Sequence, residues 1–241
     1  MMISGFKRVL LKISGEALKG PAGSIDPDAV IETAKLILEA TASGTEVAVV
    51  IGAGNLFRGL SGCRSGMDRS CADNMGMLAT AMNALAMRDA LESLGQKAEI
   101  QSALAIHGVL PSFDYRTADK MLSEKTIVLF TTGTGHPYFT TDTTAALRAC
   151  EIKADAVLKG TKVDGIYSAD PMKDPTATRY DALTFSTALS EHLKIMDSTA
   201  FSLCQDNDIK IVVFKFGQKG VLSEIMQNKF IHATIVQSVS A

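Results

Sequence analysis

Phosphate chemistry needs fixed positive charge, backbone N–H groups that a ligand can approach closely, and a carboxylate with a reason to sit among them. Four segments of the sequence supply such groups. In Lys12-Ile13-Ser14-Gly15-Glu16 a lysine ends an apolar run and small residues follow. The segment offers a point charge and open N–H groups to phosphate oxygens, and by itself reads equally well as a lysine snorkelling at a strand terminus. In Gly52-Ala53-Gly54-Asn55-Leu56-Phe57-Arg58-Gly59 two glycines precede an arginine. That is an anion cradle or a plain tight turn. A dinucleotide fingerprint would place its third glycine at Phe57, which disfavours a nicotinamide cofactor, and no G-x-x-x-x-G-K-[ST] occurs, so the chain has no P-loop. The third segment, Gly133 to Asp142, combines glycines, threonine hydroxyls, the aromatic pair Tyr138-Phe139 and an aspartate at an expected helix start. Its Asp142 is either a favourable partner for the helix dipole or a carboxylate that orients lysines or holds metal. The fourth, Lys159 to Pro171, carries Lys159, Thr161, Lys162, Asp164, Tyr167 and Asp170, enough to grip a base, a ribose and phosphates.

These segments fall where strands should end. Short β-branched runs predict strands at Arg8 to Ile13, Glu46 to Ile51, Ala98 to Ser102, Thr126 to Phe130, Ala156 to Leu158 and Lys210 to Phe214. Between them, helices are predicted behind the Asp26-Pro27 cap, over Asp73 to Ser93, over Ala118 to Ser123, from Thr141, and near Thr199 to Gln205. Strands alternating with helices imply a mostly parallel sheet, and ligands gather at the carboxyl ends of such strands. The methionines of the long helix (Met75, Met77, Met82, Met87) read as core or subunit packing.

With 241 residues, 46% hydrophobic and 21% charged, the chain suits one large α/β domain or two fused lobes. A formal net charge of −2 argues against nucleic acid as the main partner. No apolar stretch approaches the roughly 20 residues of a transmembrane helix, and Lys12 cuts short any leader-like run, so a cytoplasmic location is expected. The four cysteines form no C-x-x-C pair, and with four scattered histidines they predict neither a disulfide framework nor a resident metal site.

In this order the segments resemble the bacterial UMP kinases (uridylate kinases) of the amino-acid-kinase superfamily, from Arg8 to about Ile235. The likeness is carried by the runs Leu11 to Leu18, Gly54 to Gly59, Met75 to Thr80, Ala86 to Leu91, Thr140 to Asp142, Lys162 to Gly165 and Ala169 to Pro171. It implies an α/β fold, a three-layer αβα sandwich with a mostly parallel central sheet and no P-loop. A single domain would cover residues 1–241, with a UMP-side lobe over about 1–140 and an ATP-side lobe over about 141–241. The implied reaction transfers the γ-phosphoryl of ATP, with Mg²⁺, to UMP in pyrimidine nucleotide biosynthesis. ATP contacts carry over to Lys12, Ile13, Ser14, Gly15, Gly54, Arg58, Thr161, Tyr167 and Asp170. UMP contacts carry over to Ala53, Asp73, Thr134, Gly135, His136, Pro137, Tyr138, Phe139, Thr140 and Thr141. Catalysis would fall to Lys12 and Asp142, with Lys159 the lesser candidate for a second cation. The resemblance also implies UTP as an inhibitor at the acceptor site and a homo-oligomer, a hexamer of three dimers. Three positions depart from the pattern: Ala53 replaces a third glycine, His136 a common asparagine, and Phe214-Lys215-Phe216 a Phe-Asn-Met run. Two other readings remain: another phosphotransferase of the superfamily, or a non-catalytic oligomer that binds nucleotides or oxyanions.

Overall fold

A computed structural model describes residues 5–57 and 66–238. Arg58 and Cys63 lie outside the described residues. Ten strands are described: β1 (Arg8–Ile13), β2 (Glu46–Ile51), β3 (Ala98–Ser102), β4 (Ile127–Thr131), β5 (Ala156–Thr161), β6 (Ile166–Tyr167), β7 (Arg179–Tyr180), β8 (Ala182–Thr184), β9 (Lys210–Lys215) and β10 (Ala233–Gln237). Seven α-helices accompany them: α1 (Pro27–Glu39), α2 (Arg69–Ser93), α3 (Tyr115–Ser123), α4 (Thr141–Glu151), α5 (Phe185–Ser190), α6 (Ser198–Asp206) and α7 (Val221–Met226). Eight strands form one sheet in the order β3-β4-β2-β1-β5-β9-β10-β8, and β6 pairs with β7 in a separate ribbon. The sheet is parallel except that β10, with β8 beside it, runs against β9.

Alternation along β1 sorts side chains into two cores. Val9, Leu11 and Ile13 pack with α1, α2 and α7 on one face, and Leu10 packs with α3 to α6 on the other. That is the expected αβα sandwich. From β4 the chain crosses back to β5 on the far side of β1, so the strand order reverses at β1/β5 and opens a crevice there.

Helix starts follow side-chain caps. Asp26 accepts from Ala29 N–H at 3.0 Å with Pro27 in the first turn. α2 begins at Arg69, four residues before the predicted start, because Asp68 accepts from Cys71 N–H at 2.9 Å. α3 begins at Tyr115 because Asp114 accepts from Thr117 N–H at 2.7 Å. The buried side of α2 is Met77, Asn83, Met87 and Leu91, whereas Met75, Leu78 and Met82 are 41%, 50% and 54% exposed. The methionines therefore divide between core and surface.

Candidate active site

Lys12 on β1 and Lys159 on β5 are register partners, so their side chains leave the same face of the sheet at the β1/β5 crevice. Asp142, in the first turn of α4, lies between them. Its two oxygens meet Lys12 Nζ at 2.8 Å and Lys159 Nζ at 2.6 Å. All three side chains are 14–15% exposed. Burial pushes the Asp142 carboxyl upward, but the two ammonium charges outweigh it and hold the pKa below the ordinary value. Burial, aided by the like charge of Lys12, lowers the pKa of Lys159 despite Asp142 and Asp197. The result is a fixed carboxylate holding two cations, with one positive charge left over. Lys159, the lesser candidate in sequence, stands as close to Asp142 as Lys12 does.

A buttress fixes Asp142. Thr140 caps α4, its hydroxyl oxygen accepting from the N–H groups of Asp142 and Thr143 at 3.0 and 3.2 Å. The same hydroxyl donates to the carboxylate of Asp197, which also accepts from Thr143 Oγ1 at 3.0 Å and caps α6 through Ala200 N–H at 2.9 Å. Asp197 was not among the sequence candidates. It lies 54 residues from Thr143, and only the packing of α4 on α6 brings it near.

On one side of this triad lies a cavity of about 130 Å³ lined by Ala53, Asp73, Gly133, Thr134, His136, Phe139, Thr140 and Thr141, with Ala72, Gly76, Met77 and Thr80 from α2. Asp73 sits a full turn inside α2 rather than at its start. Its carboxylate accepts from Arg69 and from Tyr138 N–H, at 2.7 and 2.8 Å, tying the helix to the loop. Thr80, also missed in sequence, accepts from Thr132 N–H at 2.8 Å and pairs with Thr131 at 2.9 Å. These bonds hold a backbone with positive φ at Thr132 (58°), Gly133 (61°) and Tyr138 (72°). Gly135, Pro137 and Tyr138 are not among the lining residues, and Tyr138 instead lies under Arg69, 5.4 Å from the ring centroid.

On the other side is a cavity of about 560 Å³. Lys159, Thr161, Tyr167 and Asp170, all from the fourth segment singled out in the sequence, line it together with the segment 191–195 and Val213. Tyr167 donates to Asp164 at 2.6 Å, and this bond leads the causes that raise the phenol's pKa. Thr161 caps its own turn, accepting from Val163 N–H at 3.1 Å. Between the cavities, Ser14 caps a short 3-10 turn over Gly15–Leu18. A Cβ on Gly15 would stand 2.2 Å from the Gly52 carbonyl, so only glycine lets the ends of β1 and β2 meet there. Ile13 is fully buried and can offer a ligand only its backbone. Behind Gly15, Asn55 and Asn83 exchange amide bonds at 2.8 and 2.9 Å, and Asn83 also donates to Gly52 O at 2.8 Å. Gly54 stands in the same turn, next to Asn55.

The model of the amino acid kinase family matches residues 7–215. This chain belongs to that family. Within it, the chain is 50% identical to a uridylate kinase from Saccharophagus degradans over 222 residues, 92% of this chain and 90% of the relative. Among solved structures it is similar to a UMP kinase from Ureaplasma parvum, with 36% identity, a TM-score of 0.90 and coverage of 96% and 99% of the two chains. A UMP kinase from Bacillus anthracis superposes with a TM-score of 0.93 at 32% identity, over 98% of each chain. The αβα fold without a P-loop is thus the fold of known UMP kinases.

Proposed function

We propose that this amino acid kinase family member transfers the γ-phosphoryl group of ATP to UMP, giving ADP and UDP. The observation that carries this reading is the position of the Lys12–Asp142–Lys159 triad at the boundary of two cavities. Thr141, next to Asp142, lines the smaller one, and Lys159 lines the larger. We read the smaller as the UMP site and the larger as the ATP site, which makes residues up to about 140 an acceptor side and those from about 141 a donor side of one domain. The likeness to uridylate and UMP kinases supports the same assignment.

Phosphoryl transfer asks the protein for alignment and charge compensation more than covalent chemistry. Lys12 and Lys159 would neutralise charge on the transferred group, while Asp142 holds them in register. A phosphate acceptor is already ionised and needs no general base. The lowered pKa of Asp142 accords with that, because a carboxylate pinned by two ammoniums is an orienter. Lys12, Ser14, Gly15 and Gly54, with Arg58 four residues further along the sequence, would cradle ATP phosphates, and Thr161, Tyr167 and Asp170 the nucleoside. Asp73 and the Thr134 to Thr141 loop would pair with ribose and uracil. Mg²⁺ would enter on the triphosphate. No group of three ligating side chains among the described residues forms a resident cage, and Mg²⁺ commonly binds through substrate phosphates with few protein ligands.

UTP carries the same base and ribose as UMP and would compete at the acceptor cavity. The exposed stripe Met75, Leu78 and Met82 on α2 supports a homo-oligomer, and the family likeness a hexamer; light scattering that reports a monomer would remove this part. No helix among the described residues is long and apolar enough to cross a membrane, and a cytoplasmic role in pyrimidine nucleotide supply fits the reaction.

An ADP-release assay with Mg²⁺-ATP and a panel of UMP, CMP, dUMP and acetylglutamate tests the function. UMP should be preferred strongly, because polar groups left unpaired by an analogue reject it. Comparable kcat/KM for CMP would refute the acceptor assignment. Binding of ATP with no acceptor-dependent ADP would favour a non-catalytic nucleotide binder.

A further inference from the structure

Of the donor contacts assigned above, those that line the larger cavity are Thr161, Tyr167 and Asp170, which with Lys159 come from β5, β6 and the turn that follows. The same cavity is also lined by the segment from Glu191 to Ile195, between α5 and α6. Its backbone is fixed. Leu193 N–H donates to Ala188 O at 3.0 Å, His192 N–H to Leu189 O at 3.1 Å with φ of 53° at His192, and the Ile195 carbonyl accepts from Lys159 Nζ at 2.6 Å. Lys194 therefore directly precedes the residue that holds Lys159, about 3.8 Å away along the chain. It lines the cavity, is exposed, and has no ion pair or hydrogen-bond partner among the described residues. The carboxylates nearby are engaged elsewhere. Glu191 accepts from the Tyr180 hydroxyl, and Asp170 lies 3.7 Å from Lys173. An unpartnered ammonium that lines a cavity on a segment of fixed backbone, next in sequence to the residue that holds Lys159, is placed for anionic ligand atoms.

We propose that Lys194 is a further cation of the donor site, in addition to Lys12, Lys159 and Arg58, contacting the polyphosphate of the bound nucleoside triphosphate rather than its base or ribose. The proposal rests on reading this cavity as the ATP site. One positive charge in excess on the triad does not balance a triphosphate, and Lys194 supplies a further charge from the segment 191–195. Affinity would then depend on phosphate number.

Direct titration of the wild type, Lys194→Gln and Lys194→Arg with the Mg²⁺ complexes of ATP and ADP, and with AMP, tests this without any acceptor present. Lys194→Gln should raise the Kd of ATP about tenfold, the usual scale for one charge-assisted contact, with a smaller rise for ADP and none for AMP. Lys194→Arg should stay within about twofold of wild type. An equal loss for all three nucleotides would place Lys194 against the nucleoside and overturn the proposal. Unchanged ATP affinity would make it a solvated surface lysine and overturn it equally. Tyr167→Ala serves as the control for the cavity. If ATP binds wild type but ignores both Tyr167→Ala and Lys194→Gln, the donor-site reading fails along with the proposal. If Tyr167→Ala weakens ATP and Lys194→Gln does not, only the proposal fails.

Discussion

Two ion clusters share the same face of β1, one at each end. At the start of the strand, Arg8 meets Glu46 at 2.7 Å through both Nε and Nη2, and Asp119 at 2.6 Å through Nη1, while Lys125 approaches Glu46 at 3.5 Å. Arg8 Nη1 also donates to Ile152 O. Four residues further, about 13 Å along the strand, Lys12 and Lys159 share the single carboxylate of Asp142. The first cluster is closed, with two cations against two carboxylates. The second is open, with a cation in excess, and it stands between two cavities. A closed buried cluster holds the fold together, because removing one partner strands a charge. An open one has capacity left for an anionic ligand. Chemistry and stability are thus separated along one strand by charge balance, although each cluster has a buried ion pair at its centre, Arg8–Glu46 in the first with Asp119 and Lys125 exposed around it.

The sharpest way to break this contrast is to exchange the two phenotypes. Arg8→Met should cost about 3 kcal/mol of stability by leaving the buried Glu46 with only the exposed Lys125 at 3.5 Å, read as a fall in the urea midpoint. Turnover per folded molecule should stay close to wild type. Lys12→Ala should do the reverse, lowering kcat by about 10²-fold or more, the scale of one lost electrostatic stabiliser, with the melting transition retained. If Arg8→Met abolished turnover in the folded protein, the division would be wrong. A smaller effect sharpens the picture of the open cluster. Asp197→Asn loosens the support of Asp142 and should lower kcat about tenfold. It should also move the pH profile. Lys159, its pKa lowered chiefly by burial, loses its charge below the ordinary lysine value of 10.5, so kcat falls on the alkaline side below that pH. The Asp197 charge raises that pKa, and removing it should shift the alkaline limb to lower pH; an unmoved limb would confine Asp197 to a structural role. Smallest in kcat, Asp73→Asn should act mainly on the acceptor, raising the KM for UMP several-fold.

How much was legible depended on whether the signal was local. β1 and β2 were readable to the residue because each is a short buried run bounded by polar or glycine residues, and β3 was placed as well. Lys12 and Asp142, which the structure brings together, could be singled out because they stand at strand and helix ends. The start of α2 was missed because its cap, Asp68, was overlooked in favour of Asp73. The ribbon β6–β7 and the strand β8 are two or three residues each, and α5 and α7 six, too short for a periodic pattern to show, whereas β10 is as long as β3 and was overlooked. Asp197, the Asn55–Asn83 pair and the lining segment 191–195 are products of packing between distant segments. Lys159 looked weaker than Lys12 because only the β1/β5 register reveals that they are partners.

The account rests on the open triad moving phosphate from ATP to UMP, and product analysis tests that most directly. ATP, Mg²⁺ and UMP are incubated with wild type, Asp142→Asn and Arg8→Met, each at a temperature where it is folded, and UDP is quantified by chromatography. Wild type and Arg8→Met should form UDP and ADP in equal amounts at similar rates, and Asp142→Asn should be slower by about 10²-fold. UDP formation by Asp142→Asn at the wild-type rate, or ADP release by wild type without matching UDP, would contradict the account.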